Sequence, residues 1–318
     1  MTILNRGYSI VPKYDMILLR NIVNGNNIIM WVLFAVVSAL FAGLVAILAK
    51  IGIRNTDSNL ATAIRTLVIL FFTWLMVFIV GSQNQIADID PKTLTALILS
   101  GLATGGSWLF YFKALQIGDV NKVVPVDKSS TVLTILLALV FLKEGFTLPK
   151  IIALLLIGIG TYLMIERKES TTSKEKGGYK WLVYAIFSAI FASLTSILGK
   201  IGIEGIESNL GTAIRTVVVL VMAWAIVLWQ GKHKELKNID KKSWAFILLS
   251  GLATGLSWLS YYRALQTGPA SVVVPIDKLS IVLTVAFGYF ILKEKLKKQS
   301  FIGLVLIVSG TLALIFFN

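Results

Sequence analysis

Long apolar stretches, each about the length of a membrane-spanning helix, follow one another along most of the chain. A bilayer core needs about 20 mostly apolar residues per helix, with a range of about 17–25. Five such stretches lie near residues 30–50, 60–81, 94–116, 121–142 and 149–165. Five more lie near residues 180–200, 210–230, 244–266, 271–292 and 299–317. The pattern predicts an all-α integral membrane protein with ten transmembrane helices.

The second five stretches repeat the first five at a constant spacing. A shift of 150 residues aligns the halves without a gap and places Arg65 on Arg215 and Pro125 on Pro275. Residues 100–116 match 250–266 at 13 of 17 positions. Such self-similarity indicates an internal duplication. Because each copy has an odd number of spans, the second must cross the membrane in the opposite direction, which predicts two inverted-topology five-helix repeats.

The boundary between the copies is predicted at residues 166–180, ERKESTTSKEKGGYK, which are polar and glycine-containing. Such a composition suits a linker outside the bilayer. We therefore divide the chain into an N-terminal extension (1–29), a first five-helix repeat (30–165), the linker (166–180) and a second five-helix repeat (181–318).

The composition supports a membrane protein and argues against metal sites and several kinds of enzyme. The chain is 56% hydrophobic and 14% charged, whereas soluble domains are about 45–50% apolar and about 25% charged. It has no cysteine and a single histidine, so the usual metal ligands are missing. The sequence also has no HExxH, GxSxG or P-loop motif. We expect no enzymatic activity, no cofactor and no metal site.

The formal net charge of +14 raises the question of a nucleic-acid partner. The basic residues, however, fall mostly between the apolar stretches and not on one polar face. Loops rich in Lys and Arg are typical of the cytoplasmic side of membrane proteins. We therefore expect the lipid bilayer, and no nucleic acid, as the partner that this charge serves.

The sequence resembles the EamA family of the drug/metabolite transporter superfamily in three features. They are the duplicated five-span layout, the glycine-rich third span, and the segments VVPVDK (123–128) and FLKE (141–144). The resemblance covers roughly residues 30–317. It implies a carrier of small metabolites, often an exporter, and it does not name the substrate. Each half also resembles stand-alone five-span proteins of this superfamily, so a monomer would suffice, and a homo-oligomer stays open.

Two indications of membrane orientation disagree. The linker and the later loops of the second half are rich in Lys and Arg on one face, which favours a cytoplasmic linker. The family resemblance implies instead that both termini are cytoplasmic. The expected location is the cell (plasma or inner) membrane in either case.

Four cations recur at the ends of the predicted spans of both copies. They are Lys50, Arg65, Lys113 and Lys128, matched by Lys200, Arg215, Arg263 and Lys278. A charge within a span costs about 2.5–3.5 kcal/mol on insertion scales. One hypothesis is two electropositive vestibules, one at each mouth of a central cavity, that favour anionic or zwitterionic substrates. The alternative is that the long side chains reach back to the lipid headgroups.

The PVDK and PIDK segments place Asp127 and Asp277 beside a lysine and close to a proline. One interpretation is an interrupted fourth span that exposes backbone groups to a ligand. The other is an acid at a helix N-terminus that satisfies free amides, with proline in the first turn.

Small and aromatic residues of the third span also recur. Gly101 and Gly105, repeated as Gly251 and Gly255, have the GxxxG spacing of closely packed membrane helices. The aromatic residues are Trp108 and Tyr111, repeated as Trp258 and Tyr261. They are candidates for lining a cavity, where they would stack on a planar or cationic group, or for an interfacial aromatic belt.

Together these patterns predict a secondary transporter of small metabolites that works by alternating access, is an exporter, and prefers anionic or zwitterionic substrates. The alternatives are an ion channel or a lipid flippase, and, with less support, a membrane-embedded enzyme.

Overall fold

A computed structural model describes residues 13–52, 56–117, 126–127, 129–164, 180–290 and 298–317. The helices of the first half are α1 (Lys13–Gly52), α2 (Ser58–Val80), α3 (Pro91–Ile117), α4 (Ser130–Phe141) and α5 (Leu148–Met164). Those of the second half are α6 (Lys180–Gly202), α7 (Ser208–Trp229), α8 (Lys241–Thr267), α9 (Ala270–Lys278), α10 (Ser280–Phe290) and α11 (Lys298–Phe317). Short 3₁₀ helices, Ser82–Asp88 and Lys232–Asn238, follow α2 and α7.

The described residues contain helices and no strand, so the predicted all-α fold is confirmed. Seven of the described helices, α1 to α3, α6 to α8 and α11, are long and apolar enough to cross a membrane. Helices α4 and α5 are apolar but shorter. In the second half the predicted fourth span is divided into α9 and α10 at Leu279. Helix α1 begins at Lys13, within the predicted N-terminal extension.

Acidic residues begin the second and third spans of both halves. Asp57 accepts hydrogen bonds from the amides of the first turn of α2, and Glu207 does the same for α7. Asp90 and Asp240 cap α3 and α8 in the same way. A carboxylate there satisfies amides that have no partner within the helix. The duplication thus extends to the local signals that start the helices.

The two halves interlock, because the first helix of each packs against the third helix of the other. Helices α3 and α6 are joined by contacts of Ser100 with Thr195 and of Ser107 with Ser188. Helices α1 and α8 are joined by a contact of Ser38 with Ser257. In the first pair the residue numbers rise on one helix as they fall on the other, so α3 and α6 are antiparallel.

The four GxxxG glycines lie where the second helix of one half crosses the third helix of the other. An added Cβ at Gly101 would lie 2.7 Å from Val218 Cβ, and one at Gly251 would lie 2.9 Å from Val68 Cβ. An added Cβ at Gly105 would lie 2.5 Å from Met222 Sδ, and one at Gly255 would lie 3.2 Å from Phe72 Cδ1. In each pair of helices the residue numbers of the contacting residues rise in the same direction. Helix α3 is therefore parallel to α7, and α8 is parallel to α2.

The outer face of the helices carries large apolar side chains. On α2, Leu67, Phe71, Leu75 and Phe78 recur every three or four residues and are all exposed, Phe71 to 71%. A soluble protein does not expose so continuous an apolar stripe. Such a stripe is expected on a helix that contacts lipid. The helices are also long enough to cross a bilayer.

Candidate functional site

A cavity of about 260 Å³ lies between the two halves. Its volume is slightly below the range of about 300–1,000 Å³ that is typical of sites for drug-sized ligands. Helices α1 and α3 of the first half and α6 to α9 of the second line it. The lining residues are Ala42, Thr104, Ser107, Trp108, Ala192, Thr195, Arg215, Ser257, Trp258, Tyr261, Tyr262, Asp277 and Lys278.

The Arg215 guanidinium is the buried cation of this cavity, since only 1% of the residue is exposed. Nε donates to Ser100 Oγ and Nη2 donates to Thr104 Oγ1, each over 3.0 Å. Nη1 is buried and has no hydrogen-bond partner. The Tyr262 ring lies 4.1 Å from the guanidinium carbon. No carboxylate among the described residues pairs with Arg215, so the group retains a donor and a charge for a ligand.

Asp277 and Lys278 supply both signs of charge at the end of α9. Lys278 Nζ lies 3.6 Å from Asp277 Oδ2. The Ser38 hydroxyl of α1 donates to Asp277 Oδ1 over 2.6 Å. Because α9 begins at Ala270, Asp277 lies in its last turn, and the interpretation of Asp277 as an N-terminal acid is wrong. Pro275 lies within α9 and not in its first turn.

Three of the four aromatic candidates reach the cavity. The Trp108 and Trp258 rings, which occupy equivalent positions in the two halves, have centroids 6.4 Å apart. The Tyr261 hydroxyl donates to Ser196 Oγ over 2.8 Å. The structure places Tyr111 elsewhere, against a small cluster around Ala114 and Ala185.

Of the other cations whose side chains the structure describes, none lines this cavity. Arg65 Nη2 donates to Thr254 Oγ1 over 2.6 Å, and its buried Nε has no hydrogen-bond partner. Lys200 Nζ donates to the carbonyl oxygens of Leu265 and Gly268 at the end of α8. The Lys50 side chain and Lys128 lie outside the described residues. Asp127, which accepts from the Ser188 hydroxyl over 2.6 Å, repeats the contact between Ser38 and Asp277.

A second pocket, of about 570 Å³, is also lined by Trp108. Lys113, at the end of α3, lines it together with Asn59, Tyr184 and Trp229. Trp108 therefore lines two spaces, one that includes Arg215 and one that includes Lys113.

Sequence reasoning missed several polar residues of the site. Ser38, Ser100, Thr104 and Tyr262 all contact the candidate charges. The first three recur in the second half as Ser188, Ser250 and Thr254, so recurrence of hydroxyl residues was a usable signal. Tyr262 replaces Phe112 of the first half and marks a difference between the copies.

Comparison with known proteins assigns the chain to a family. The model of the EamA-like transporter family matches residues 29–166 and again residues 179–316. A Sinorhizobium protein named "Uncharacterized transporter in cobO 3'region" is 45% identical over 137 residues, which are 43% of this chain and 97% of that protein. That relative is therefore about one repeat long.

More distant similarities cover more of the chain. The "Uncharacterized transporter YxxF" of Bacillus subtilis is 23% identical over 226 residues, which are 70% of each protein. A solved crystal structure has a TM-score of 0.72 at 14% identity and covers 89% of this chain and 96% of its own. At that identity the likeness supports the fold alone. With two family matches that coincide with the two halves, this multi-pass membrane protein belongs to the EamA-like transporter family.

Proposed function

We propose that the chain is a secondary transporter that moves a small anionic or zwitterionic metabolite by alternating access, with the cavity beside Arg215 as its binding site. The observation that carries the proposal is the Arg215 guanidinium, which is buried, has an unpartnered Nη1 and has no carboxylate partner among the described residues. A buried charge without a counter-ion is costly. A substrate carboxylate would supply the missing acceptor in a charge-assisted hydrogen bond.

The rest of the cavity wall fits the same class of substrate. Asp277 and Lys278 form an ion pair that a zwitterion would exchange for its own two charges. The Trp108 and Trp258 rings offer apolar surface on which a planar or cationic group would stack. Hydroxyl groups such as that of Thr195 provide further donors and acceptors.

The directions of the helices support inverted repeats. Helix α3 is antiparallel to α6 and parallel to α7. Consecutive spans alternate in direction, so α1 and α3 point one way and α6, the counterpart of α1, points the other. With the fourth span of the first half taken from the sequence pattern (121–142), and α9 and α10 counted as one span, the chain has the ten spans that we propose. Two opposed halves around a shared cavity are a common basis for alternating access.

Export across the cell membrane is the direction we propose, on the family resemblance alone. A monomer already contains both repeats that surround the cavity, so no second copy is required for transport.

Counterflow of labelled metabolites in proteoliposomes tests the proposal. The wild-type protein is expected to give saturable exchange of a carboxylate-bearing metabolite, whereas a channel would give linear flux and an enzyme would give a product.

Arg215→Gln removes one charge-assisted hydrogen bond, worth about 1.5–3 kcal/mol, and is expected to weaken the apparent affinity for the metabolite roughly 10- to 150-fold. Arg263→Gln is the matched control, because Arg263 is exposed and its side chain donates to Gln266, away from the cavity wall. Unchanged exchange by Arg215→Gln would refute the assignment.

A further inference from the structure

The connection between α8 and α9, the Gly268–Pro269 elbow, is held by residues from a loop and from two other helices. Glu144, in the loop after α4 of the first half, accepts from the Ala270 amide at Oε1 over 2.6 Å. Its Oε2 accepts from the Ser271 amide over 3.1 Å and from the Ser271 hydroxyl over 2.5 Å. Pro269, the N-cap residue of α9, makes no side-chain capping bond. A residue 126 positions away therefore supplies the cap.

Lys200 holds the other side of the same elbow. Its Nζ donates to the carbonyl oxygens of Leu265, over 3.0 Å, and Gly268, over 2.5 Å. A cation on the carbonyls that end α8 and an anion on the amides that begin α9 both oppose the partial charges of those helix ends. Trp31 of α1 completes the contact, because a Cβ on Gly268 would lie 2.7 Å from Trp31 Cδ2. The first half thus contributes both Glu144 and Trp31.

The backbone before Glu144 adopts an unusual conformation. Lys143 has a φ of +53°, and it is the sole non-glycine residue with a positive φ in the described part of the chain. A left-handed conformation costs roughly 1–2 kcal/mol for a residue with a side chain. Such strain persists where surrounding contacts require it, and it is frequent at switch regions. The next residue is Glu144, whose carboxylate makes the three contacts with the start of α9.

The elbow lies between the cavity and one end of the helices. On α6, Thr195 lines the cavity and Lys200 reaches the elbow, a separation of five residues or about 7.5 Å along the helix axis. On α8, Tyr262 lines the cavity six residues before Gly268. At its far end α9 carries Asp277 and Lys278, which line the cavity themselves. A movement of the elbow would therefore move two groups of the cavity wall.

We infer that Glu144 is a gating residue: its carboxylate, acting opposite Lys200, holds the Gly268–Pro269 elbow closed over one mouth of the cavity. The inference rests on the proposed alternating-access function. Opening that mouth requires the Glu144 loop of the first half to separate from α9 of the second. Loss of the carboxylate charge weakens three hydrogen bonds at once and shifts the population toward the state open on the elbow side.

Thiol labelling tests the gate without any knowledge of the substrate. The chain has no cysteine, so Ala192→Cys introduces a single reporter thiol into the cavity wall. A separate Thr267→Cys variant, exposed beside the elbow, identifies the face of the membrane toward which the elbow points. A membrane-impermeant thiol reagent is added to either face of sealed vesicles, and the rate at which the reporter thiol is labelled is measured.

Glu144→Gln, combined with Ala192→Cys, is expected to raise labelling of the reporter thiol from the elbow face at least about tenfold, the change that about 1.4 kcal/mol produces, and to lower it from the opposite face. Ser271→Ala, which removes one of the three bonds, is expected to give a smaller change in the same direction. Glu235→Gln is the matched control, because Glu235 is a hydrogen-bonded carboxylate that pairs with Lys232 and lies outside the spans. Labelling that is unchanged on the elbow face, or that rises equally on both faces, would overturn the gate.

The outcome is separable from that of the transport assay. Elbow-side opening by Glu144→Gln in a protein that shows no saturable exchange would support the gate and refute the proposed transport function. Saturable exchange that depends on Arg215, without any change in labelling by Glu144→Gln, would support transport and overturn the gate.

Discussion

The Ser38 hydroxyl of α1 donates to the Asp277 carboxylate of α9, with Oγ and Oδ1 2.6 Å apart. The equivalent pair, Ser188 and Asp127, has the same distance. In both pairs the serine belongs to one half and the aspartate to the other. The two bonds therefore tie each fourth span to the first span of the opposite repeat.

Ser38→Ala is expected to lower the stability of the protein by about 1–3 kcal/mol, because it leaves a buried carboxylate oxygen without its donor. Asp277 is 9% exposed, whereas Asp127 is half-buried and water can replace a lost partner there. Ser188→Ala is accordingly expected to cost less. Thermal unfolding in detergent compares the two. Equal losses would show that burial of the carboxylate does not set the cost.

Two glycines of α5 are expected to respond oppositely to alanine. A Cβ on Gly160 would lie 2.6 Å from the Gly303 carbonyl oxygen of α11, which cannot move without separating the helices. Gly160→Ala should therefore destabilise the protein by about 1–3 kcal/mol. A Cβ on Gly158 would lie 3.8 Å from Val132, so Gly158→Ala is expected to stabilise the helix by up to about 1 kcal/mol.

Thermal unfolding of both variants measures the contrast, with Gly158→Ala as the control for helix propensity. A Gly160→Ala variant as stable as the wild type would mean that α5 and α11 do not pack closely in the membrane.

The apolar pattern was sufficient to predict the class of fold, because membrane spans are recognisable from length and composition alone. The duplication also predicted which residues correspond. It could not predict that Arg215 and Arg65 differ in environment, since their flanking sequences are nearly the same. Arg215 lies on the Tyr262 ring in a cavity, whereas Arg65 contacts Thr254 and lines no part of that cavity.

The contacts of Glu144 could not be predicted from the sequence for a different reason. Its three hydrogen bonds join residues 126 and 127 positions apart, and no local pattern encodes such a distance. The error about Asp277 concerns the same helix. A proline followed by an acid suggested the start of a helix, but α9 begins at Ala270, where Glu144 caps it, so Pro275 lies inside the helix and Asp277 in its last turn.

Acid is expected to weaken the N-terminus of α3 through Asp90. Hydrogen bonds from the Thr93 side chain and from the Thr93 and Lys92 amides lower the pKa of Asp90 below its usual value. A carboxylate with a lowered pKa in the folded state stabilises that state above its unfolded pKa of about 3.9, and the contribution is lost as pH falls through the folded pKa. Asp90→Asn removes this titration.

Melting temperature measured between about pH 6 and pH 3 should therefore fall more steeply for the wild type than for Asp90→Asn, with the difference appearing only near and below the unfolded pKa. Parallel curves for the two proteins would show that Asp90 does not titrate with folding.

Lys143 provides the last prediction, because its left-handed backbone precedes the gating carboxylate. Glycine adopts a positive φ without steric cost, and a β-branched residue adopts it with the greatest difficulty. Lys143→Gly is expected to leave the melting temperature unchanged or to raise it, whereas Lys143→Val should lower it by at least about 2 °C, the shift that about 1 kcal/mol produces in a large domain. The same Lys143→Val change should displace Glu144 from the α9 amides and raise elbow-side labelling of the reporter thiol in the Ala192→Cys background, as Glu144→Gln does. A valine variant that matches the glycine variant in both stability and labelling would show that the left-handed backbone does not position the Glu144 carboxylate.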